Sequence, residues 1–195
     1  MKEDRFHRAI AAIDVANAED PNRITVRGTS RQKEQAHAEL VTEWVRRLRP
    51  DASEALLLAA RAHHIRRWTI PRSAYPEGRS GYLRWRRDLH ELHAREAARI
   101  LTAEGYEQET VKRVGEIIRK RNPTTDPEVQ ALEDALCLVF LETQFHDLAA
   151  RVDNPRMLDV LRKTLRKMSE PAKRLALTIE MPGRERTLVE EALSS

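Results

Sequence analysis

Apolar residues recur along the chain at spacings of three and four, the period of an α-helix. Phe6, Ala9, Ile10 and Ile13 mark one face of a first helix that should end before Asp20-Pro21. Ile24-Thr-Val26, ahead of Gly28, is the only strand-like fragment, and it is short. A second helix is predicted from about Arg31 to Leu48, with Leu40, Val41, Trp44, Val45 and Leu48 inward and His37 on the same face one turn earlier. Asp51 followed by Glu54 reads as a capping box opening the apolar run Ala55-Leu-Leu-Leu-Ala-Ala-Arg-Ala62, which delivers His63 and His64. From Arg66 to Gly81 the period fails, and Pro71, Pro76, Gly78 and Gly81 mark an irregular loop of about fifteen residues, longer than most connections.

A long helix should follow from about Tyr82 to Glu104, with His90, His93, Ala97, Ile100 and Leu101 on one side and Gly105 as its stop. Val111, Val114, Ile117 and Ile118 define the next. Asp126-Pro127 is an N-cap with proline at the first helical position, starting a helix through Leu132, Leu136, Val139 and Phe140 that carries Glu133 and Asp134. Asp153 and Ser169-Glu-Pro171 announce two more, and the tail after Gly183 is a short helix or a frayed end. Six glycines in 195 residues and few β-branched runs agree with an all-α, single-domain helical bundle.

Charged residues make up 34% of the chain, but acids and bases interleave to leave +4, short of the basic excess of a dedicated DNA-binding module. The single cysteine, Cys137, lies in the apolar run Ala135-Leu-Cys-Leu-Val-Phe-Leu141, so neither a disulfide framework nor a thiolate zinc site is available. Met1-Lys-Glu-Asp-Arg5 lacks the apolar stretch of a signal peptide, and no window resembles a membrane span. The expectation is a cytoplasmic protein with no membrane partner.

The candidate chemistry lies in histidine. Several imidazoles on different helices around an apolar centre, with a carboxylate, offer the neutral nitrogen and hard oxygen donors that a divalent metal takes. His37, His63, His64 and Asp134 are the candidate ligands, for one ion of zinc, iron, manganese or nickel. Successive helical residues point about 100° apart, so His63 and His64 reach one ion together only at a helix end or distortion; otherwise one ring caps a backbone carbonyl. Whether Asp134 or Glu133 faces inward depends on the helix phase; Asp134, at helical spacing from Cys137, Leu138 and Leu141, is preferred.

Arginines gather around the irregular loop: Arg66, Arg67, Arg72, Arg79, Arg84, Arg86 and Arg87, interleaved with Trp68, Tyr75, Tyr82 and Trp85. Guanidinium forks match phosphate geometry, which nominates Arg66, Arg72 and Arg79 as substrate-binding groups, with His93 beside them and Lys120 leaning into the same cleft. The alternative is a solvated basic loop. A second basic stretch, Leu161-Arg-Lys-Thr-Leu-Arg-Lys-Met168 with Lys173-Arg174, is a surface helix packed by its apolar stripe, or a contact for RNA.

The order His37, then His63-His64, then Asp134 resembles the metal-ligand order of the HD-domain phosphohydrolase superfamily. His63 matches the histidine of that family's His-Asp pair and His64 its aspartate. Ala59-Ala-Arg-Ala-His-His-Ile65 is similar to the run leading into the family's His-Asp-Ile, and His93-Ala-Arg-Glu-Ala-Ala-Arg-Ile-Leu101 is similar to its helix of further active-site histidines. The likeness spans roughly residues 31 to 145, leaving C-terminal helices from about 153 to 193. It implies a metal-dependent phosphohydrolase acting on a nucleotide or other small phosphorylated molecule, with Asp134 as the last ligand and a catalytic group; Lys120, which follows Ile117 and Ile118, is a further catalytic candidate that would neutralise charge. The chain departs from the pattern at His64, which cannot bridge two metals as a carboxylate does, and at Arg66-Arg67, where glycine and lysine are usual. A non-catalytic protein holding metal, a phosphorylated ligand or RNA is the alternative reading, and a purely structural helical partner is a third. The whole chain also resembles an uncharacterised family, a domain of unknown function, which implies no activity.

Overall fold

The computed structural model describes residues 2–121 and 125–194. Helix α1, Lys2–Ala18, stops at the Asp20-Pro21 boundary. Two four-residue strands follow, β1 (Arg23–Val26) and β2 (Thr29–Gln32), paired antiparallel from Arg23 opposite Gln32 to Val26 opposite Thr29. The Arg27-Gly28 turn between them takes positive φ at both residues, the type of turn whose twist suits a two-residue hairpin. The second strand, Thr-Ser-Arg-Gln, carries no hydrophobic alternation and gains its conformation from pairing. It moves the start of α2 (Lys33–Leu48) two residues beyond the expected Arg31.

Helix α3, Glu54–Ala62, opens on Ser53, whose hydroxyl accepts the Leu56 amide at 3.1 Å. The expected Asp51 cap is displaced: Asp51 instead accepts from Arg49 Nε and Nη2, at 3.0 and 3.2 Å. Between α3 and α4 the chain makes two 3₁₀ turns, Arg67–Thr69 and Arg72–Ala74, so part of the expected irregular loop is ordered. Helix α4, Gly78–Ala103, begins four residues before the expected Tyr82. A Cβ at Gly81 would lie 2.0 Å from the Pro76 carbonyl oxygen, so only glycine lets the first turn of α4 pass that close to the loop.

Helix α5, Gln108–Ile118, is followed by α6, Pro127–Thr143, capped by Asp126 accepting the Glu128 and Val129 amides. The short α7, Phe145–Ala149, had no distinct sequence signal because its apolar residues continue the α6 pattern. Helices α8 (Asn154–Leu165) and α9 (Glu170–Ala176) start at the Asp153 and Ser169 caps, and α10 spans Gly183–Leu193. The fold is a helical domain carrying one small β-hairpin.

One apolar core runs through all of it. Helix α2 packs on α3 and α6, α5 packs on α3 and α4, and α8 packs on α10. Ile13, Val41, Leu56, Leu58, Leu101, Ile117, Leu132 and Leu138 are fully buried where these faces meet. The arrangement brings the inner face of α2, the end of α3, the middle of α4 and the end of α5 to one place. No helix among the described residues is long and apolar enough to cross a membrane.

Candidate metal centre

Helix α2 is anchored at its first turn by buried Asp20, whose carboxylate accepts the Glu34 amide at 2.9 Å and the Asn22 amide at 2.9 Å. This fixes the helix phase that turns Glu34 and His37, three residues apart, to the same side. Helix α3 ends at Ala62, and His63 and His64 stand in the turn that follows. Their ring centroids are 4.2 Å apart, and that of His37 lies 5.1 Å from His63 and 4.8 Å from His64. One ligand nitrogen from each of the three lies within 4.8 Å of the others. The helix end thus removes the angular obstacle to His63 and His64 acting together.

Three of the neighbouring rings, His63, His64 and His93, are oriented by a hydrogen bond at Nδ1. His63 Nδ1 donates to the Ala60 carbonyl at 2.8 Å, and His93 Nδ1 to the Ile65 carbonyl at 2.7 Å. A carbonyl can only accept, so the proton is on Nδ1 in both and Nε2 carries a lone pair. Both Nε2 atoms are buried without a hydrogen-bond partner. Ring capping of a carbonyl and a free ligand nitrogen therefore occur together in His63. His64 Nδ1 lies 3.1 Å from Glu34 Oε2, a carboxylate that is itself buried and 3.8 Å from Arg67 Nε. Carbonyl or carboxylate on one imidazole nitrogen and a free lone pair on the other is the arrangement that orients metal-ligating histidines.

Burial holds the rings neutral. It pushes His37 down to about 3, with Arg67 and Lys33 adding to the effect, and His93 to about 3. His63 and His64 are likewise pulled well below the usual imidazole range, first by burial and then by the neighbouring rings. Glu34 moves the other way, to about 7, because burial outweighs the charges of Arg67 and Lys33. At neutral pH the lone pairs face no competition from protons.

A cavity of about 20 Å³ adjoins the rings, lined by His63, His64, Arg67, Arg86, His90, His93 and Lys120. That is room for one water molecule or one ion. Roomier grooves lie away from the histidines, including one of about 620 Å³ beside α3 and α5. There Tyr106 donates to Glu54 and Arg113 is held by Asp126 and Glu128, and no histidine lines the groove.

The structure does not bring Asp134 to the imidazoles. Its Oδ1 accepts the Ser169 amide at 2.8 Å and the Gln130 amide at 2.9 Å, and its Oδ2 accepts the Ser169 hydroxyl at 2.5 Å. The carboxylate ties α6 to the start of α9. The phase of α6 turns the preceding acid, Glu133, toward Lys120, with which it pairs directly. Lys120 closes α5 in a left-handed conformation, φ 54°, the position that Gly105 takes at the end of α4. The Arg121 amide reaches the Glu116 carbonyl and the Lys120 amide the Ile117 carbonyl, the double bond of a Schellman ending. A lysine is strained in that place, and its side chain is held in the cavity wall by Glu133.

Of the nominated arginines, Arg66 pairs with Glu19 at 3.1 Å, Arg72 donates to the Tyr75 carbonyl at 2.9 Å and Arg79 is exposed on the first turn of α4. The cavity is lined instead by Arg67 and Arg86. Arg66, at φ 55°, is the left-handed residue that turns the chain after His64 and brings Arg67 back over the rings. His93 is fully buried, and His90 is half-buried with Nε2 3.4 Å from Arg86 Nη2. On α8 and in the turn after it, Leu161, Leu165 and Met168 are buried, while Lys163 pairs with Asp159 on α8 and Lys173 with Glu170 on α9.

Residues 7–189 match the family described as Domain of unknown function (DUF4202). The chain belongs to this family. In this DUF4202 protein the match runs from the first helix to the last, so the histidine cluster and the C-terminal helices fall within one family unit. No curated protein matches the chain, and no solved structure does.

Glu34 has no nomination in the sequence pattern, and Arg67 and Arg86 stand in the arginine cluster without being singled out from it. Glu34 stands three positions before His37 in an otherwise apolar stripe, which was the available signal.

Proposed function

We infer that this protein binds one divalent transition metal through His37, His63 and His64 and hydrolyses a phosphate ester on a nucleotide or other small phosphorylated molecule. The observation that carries the reading is the buried, unpaired Nε2 of His63, in a ring already fixed by Ala60 and within ligand distance of two more neutral imidazoles. A polar atom left unmatched in a core is expensive unless something binds it. Three nitrogen donors and no carboxylate suit zinc, iron or nickel better than manganese, which prefers oxygen.

Three protein ligands leave an open coordination position, the hallmark of a catalytic rather than a structural site. The adjoining cavity is sized for one water. A divalent ion held there would acidify water and polarise a phosphoryl oxygen. Glu34 fixes His64 and supplies the negative charge that the aspartate supplies in the HD-domain pattern. Arg67 and Arg86 give the cavity lining the cationic character that a phosphoryl group requires, beside a Lys120 that is paired with Glu133. The smallness of the cavity favours the second reading, a protein that keeps the metal and binds a phosphorylated ligand without hydrolysing it.

Elemental analysis of protein purified without an affinity tag tests the metal directly. Native protein is expected to hold about one equivalent of metal, and His63→Ala and His37→Ala to lose it while retaining helicity. A native chain that takes up no added zinc, iron or nickel would refute the assignment. Release of phosphate from a panel of nucleotides and sugar phosphates by the loaded protein, absent in His63→Ala, separates hydrolysis from binding.

A further inference from the structure

Most arginines of this protein whose contacts are resolved are committed to acids. Arg61 forks onto Asp14 at 2.5 and 2.7 Å, Arg113 holds Asp126 and Glu128, and Arg31, Arg49 and Arg119 each bind a carboxylate. Arg67 and Arg86 differ. The nearest acid to Arg67 is Glu34 at 3.8 Å, beyond hydrogen-bond length. Arg86 has only Tyr82 Oη at 3.2 Å and His90 Nε2 at 3.4 Å, with no carboxylate within 4.0 Å among the described residues.

Both guanidinium groups are nevertheless held in place. Arg67 lies over the Trp85 ring, 4.8 Å from its centroid, and Trp85 is pinned by its Nε1–H donating to the Ile70 carbonyl at 2.9 Å. Arg86 lies against Tyr82, whose ring centroid is 5.9 Å from that of Trp85. Cation–π contacts position a guanidinium without neutralising it. Two like charges therefore face the same small cavity, and burial, with the charge of Arg86 adding to it, depresses the basicity of Arg67 despite the opposing pull of Glu34. A dianion between them would relieve the repulsion and use the open donors.

We propose that Arg67 and Arg86, mounted on Trp85 and Tyr82, form a phosphate clamp at the mouth of the histidine cavity that selects a terminal, dianionic phosphate. The selection follows from space and charge. A cavity of about 20 Å³ admits no phosphate, so the group stops at the mouth, one face toward the imidazoles and the other toward solvent. A phosphomonoester meets this end-on, its organic part lying outside beside exposed Tyr82 and Leu83. A diester has one charge for the two guanidiniums and a second organic group with no space on the cavity side. The clamp rests on the metal reading for what the bound phosphate does next, though its own affinity for phosphate does not.

The test is calorimetric titration of metal-free and zinc-loaded protein with inorganic phosphate, methyl phosphate and dimethyl phosphate. Native protein is expected to bind phosphate and methyl phosphate even without metal, and dimethyl phosphate at least about tenfold more weakly. Arg67→Gln and Arg86→Gln should each weaken phosphate by about tenfold or more, whereas Arg79→Gln should leave it unchanged. Half-buried Arg86 has no ion pair to lose, so its variant keeps the test decisive should Arg67→Gln fail to fold. Phosphate affinity unaltered in folded Arg86→Gln, or dimethyl phosphate binding as tightly as methyl phosphate, would overturn the clamp. Zinc uptake, measured on the same samples, separates the two proposals. Zinc bound without arginine-dependent phosphate binding ends the clamp alone, and arginine-dependent phosphate binding in a chain that takes no metal upholds it while ending the hydrolase.

Discussion

Replacing Glu34 by glutamine should move metal affinity and metal-free stability in opposite directions. Glutamine can still accept from His64 Nδ1, as the carboxylate does at 3.1 Å, so the substitution isolates the charge. A hydrogen bond to a charged group contributes about 1.5–3 kcal/mol and a neutral one about 0.5–1.5, a difference of roughly tenfold in affinity. Loss of such orienting partners lowers metal affinity by about 10- to 100-fold, and the buried position of Glu34 places the expectation within that range. Stability runs the other way. A carboxyl group held at about 7 rather than 4.5 binds its proton more tightly folded than unfolded, so it contributes stability at low pH that is lost as pH rises through 7. At pH 8 the ionised, buried group destabilises the metal-free fold by up to roughly 3 kcal/mol. Glu34→Gln should therefore raise the urea midpoint of chelator-treated protein at pH 8 and leave it nearly unchanged at pH 4. Competition titration with a chromophoric zinc chelator reads the affinity. Unaltered zinc affinity together with a lowered urea midpoint at pH 8 would refute the reasoning and make Glu34 an ordinary structural residue.

Asp134→Ala should destabilise by about 1–3 kcal/mol, because it strips the start of α9 of two partly buried hydrogen bonds, while zinc affinity stays within about twofold of native. Loss of zinc in a variant with unchanged urea midpoint would instead place Asp134 among the ligands. In metal-free protein the buried imidazoles exclude protons that the unfolded chain accepts, so stability should fall as pH drops below the usual imidazole value of 6.5 toward the depressed values of about 3 to 4. Each such ring steepens the fall by about 1.4 kcal/mol per pH unit, and the proton retained by Glu34 offsets one of them. His93→Gln should flatten the profile by one ring, and a urea midpoint constant from pH 7 to pH 5 would contradict the burial argument.

What the chain discloses locally, it discloses well. Asp126-Pro127, Asp153 and Ser169-Glu-Pro171 start helices because a cap and a fixed φ act within one turn. The apolar run to Ala62 and the paired histidines beyond it were legible for the same reason, since an imidazole pair at the end of a buried helix has to be accommodated somewhere. Ser53 rather than Asp51 caps α3, a choice between two capable residues that the competing Arg49 contact decides.

The site residues that were misplaced share a different cause. Asp134 and Glu133 are one residue apart, and which of them turns to Lys120 and which to Ser169 is set by how α6 packs on α2 and α9, not by α6 itself. Arg67 rather than Arg66 reaches the cavity because Arg66 takes the left-handed turn, a conformation its side chain does not announce. Glu34 acquires its role from His64, thirty residues later. The sequence by itself determined the helices, their inward faces and the histidines that had to be buried, because those follow from interactions within a few residues. Only the tertiary structure decided which nitrogens are left unpaired, which carboxylate orients them and which guanidiniums stay uncommitted, because each depends on atoms that packing brings together from distant turns.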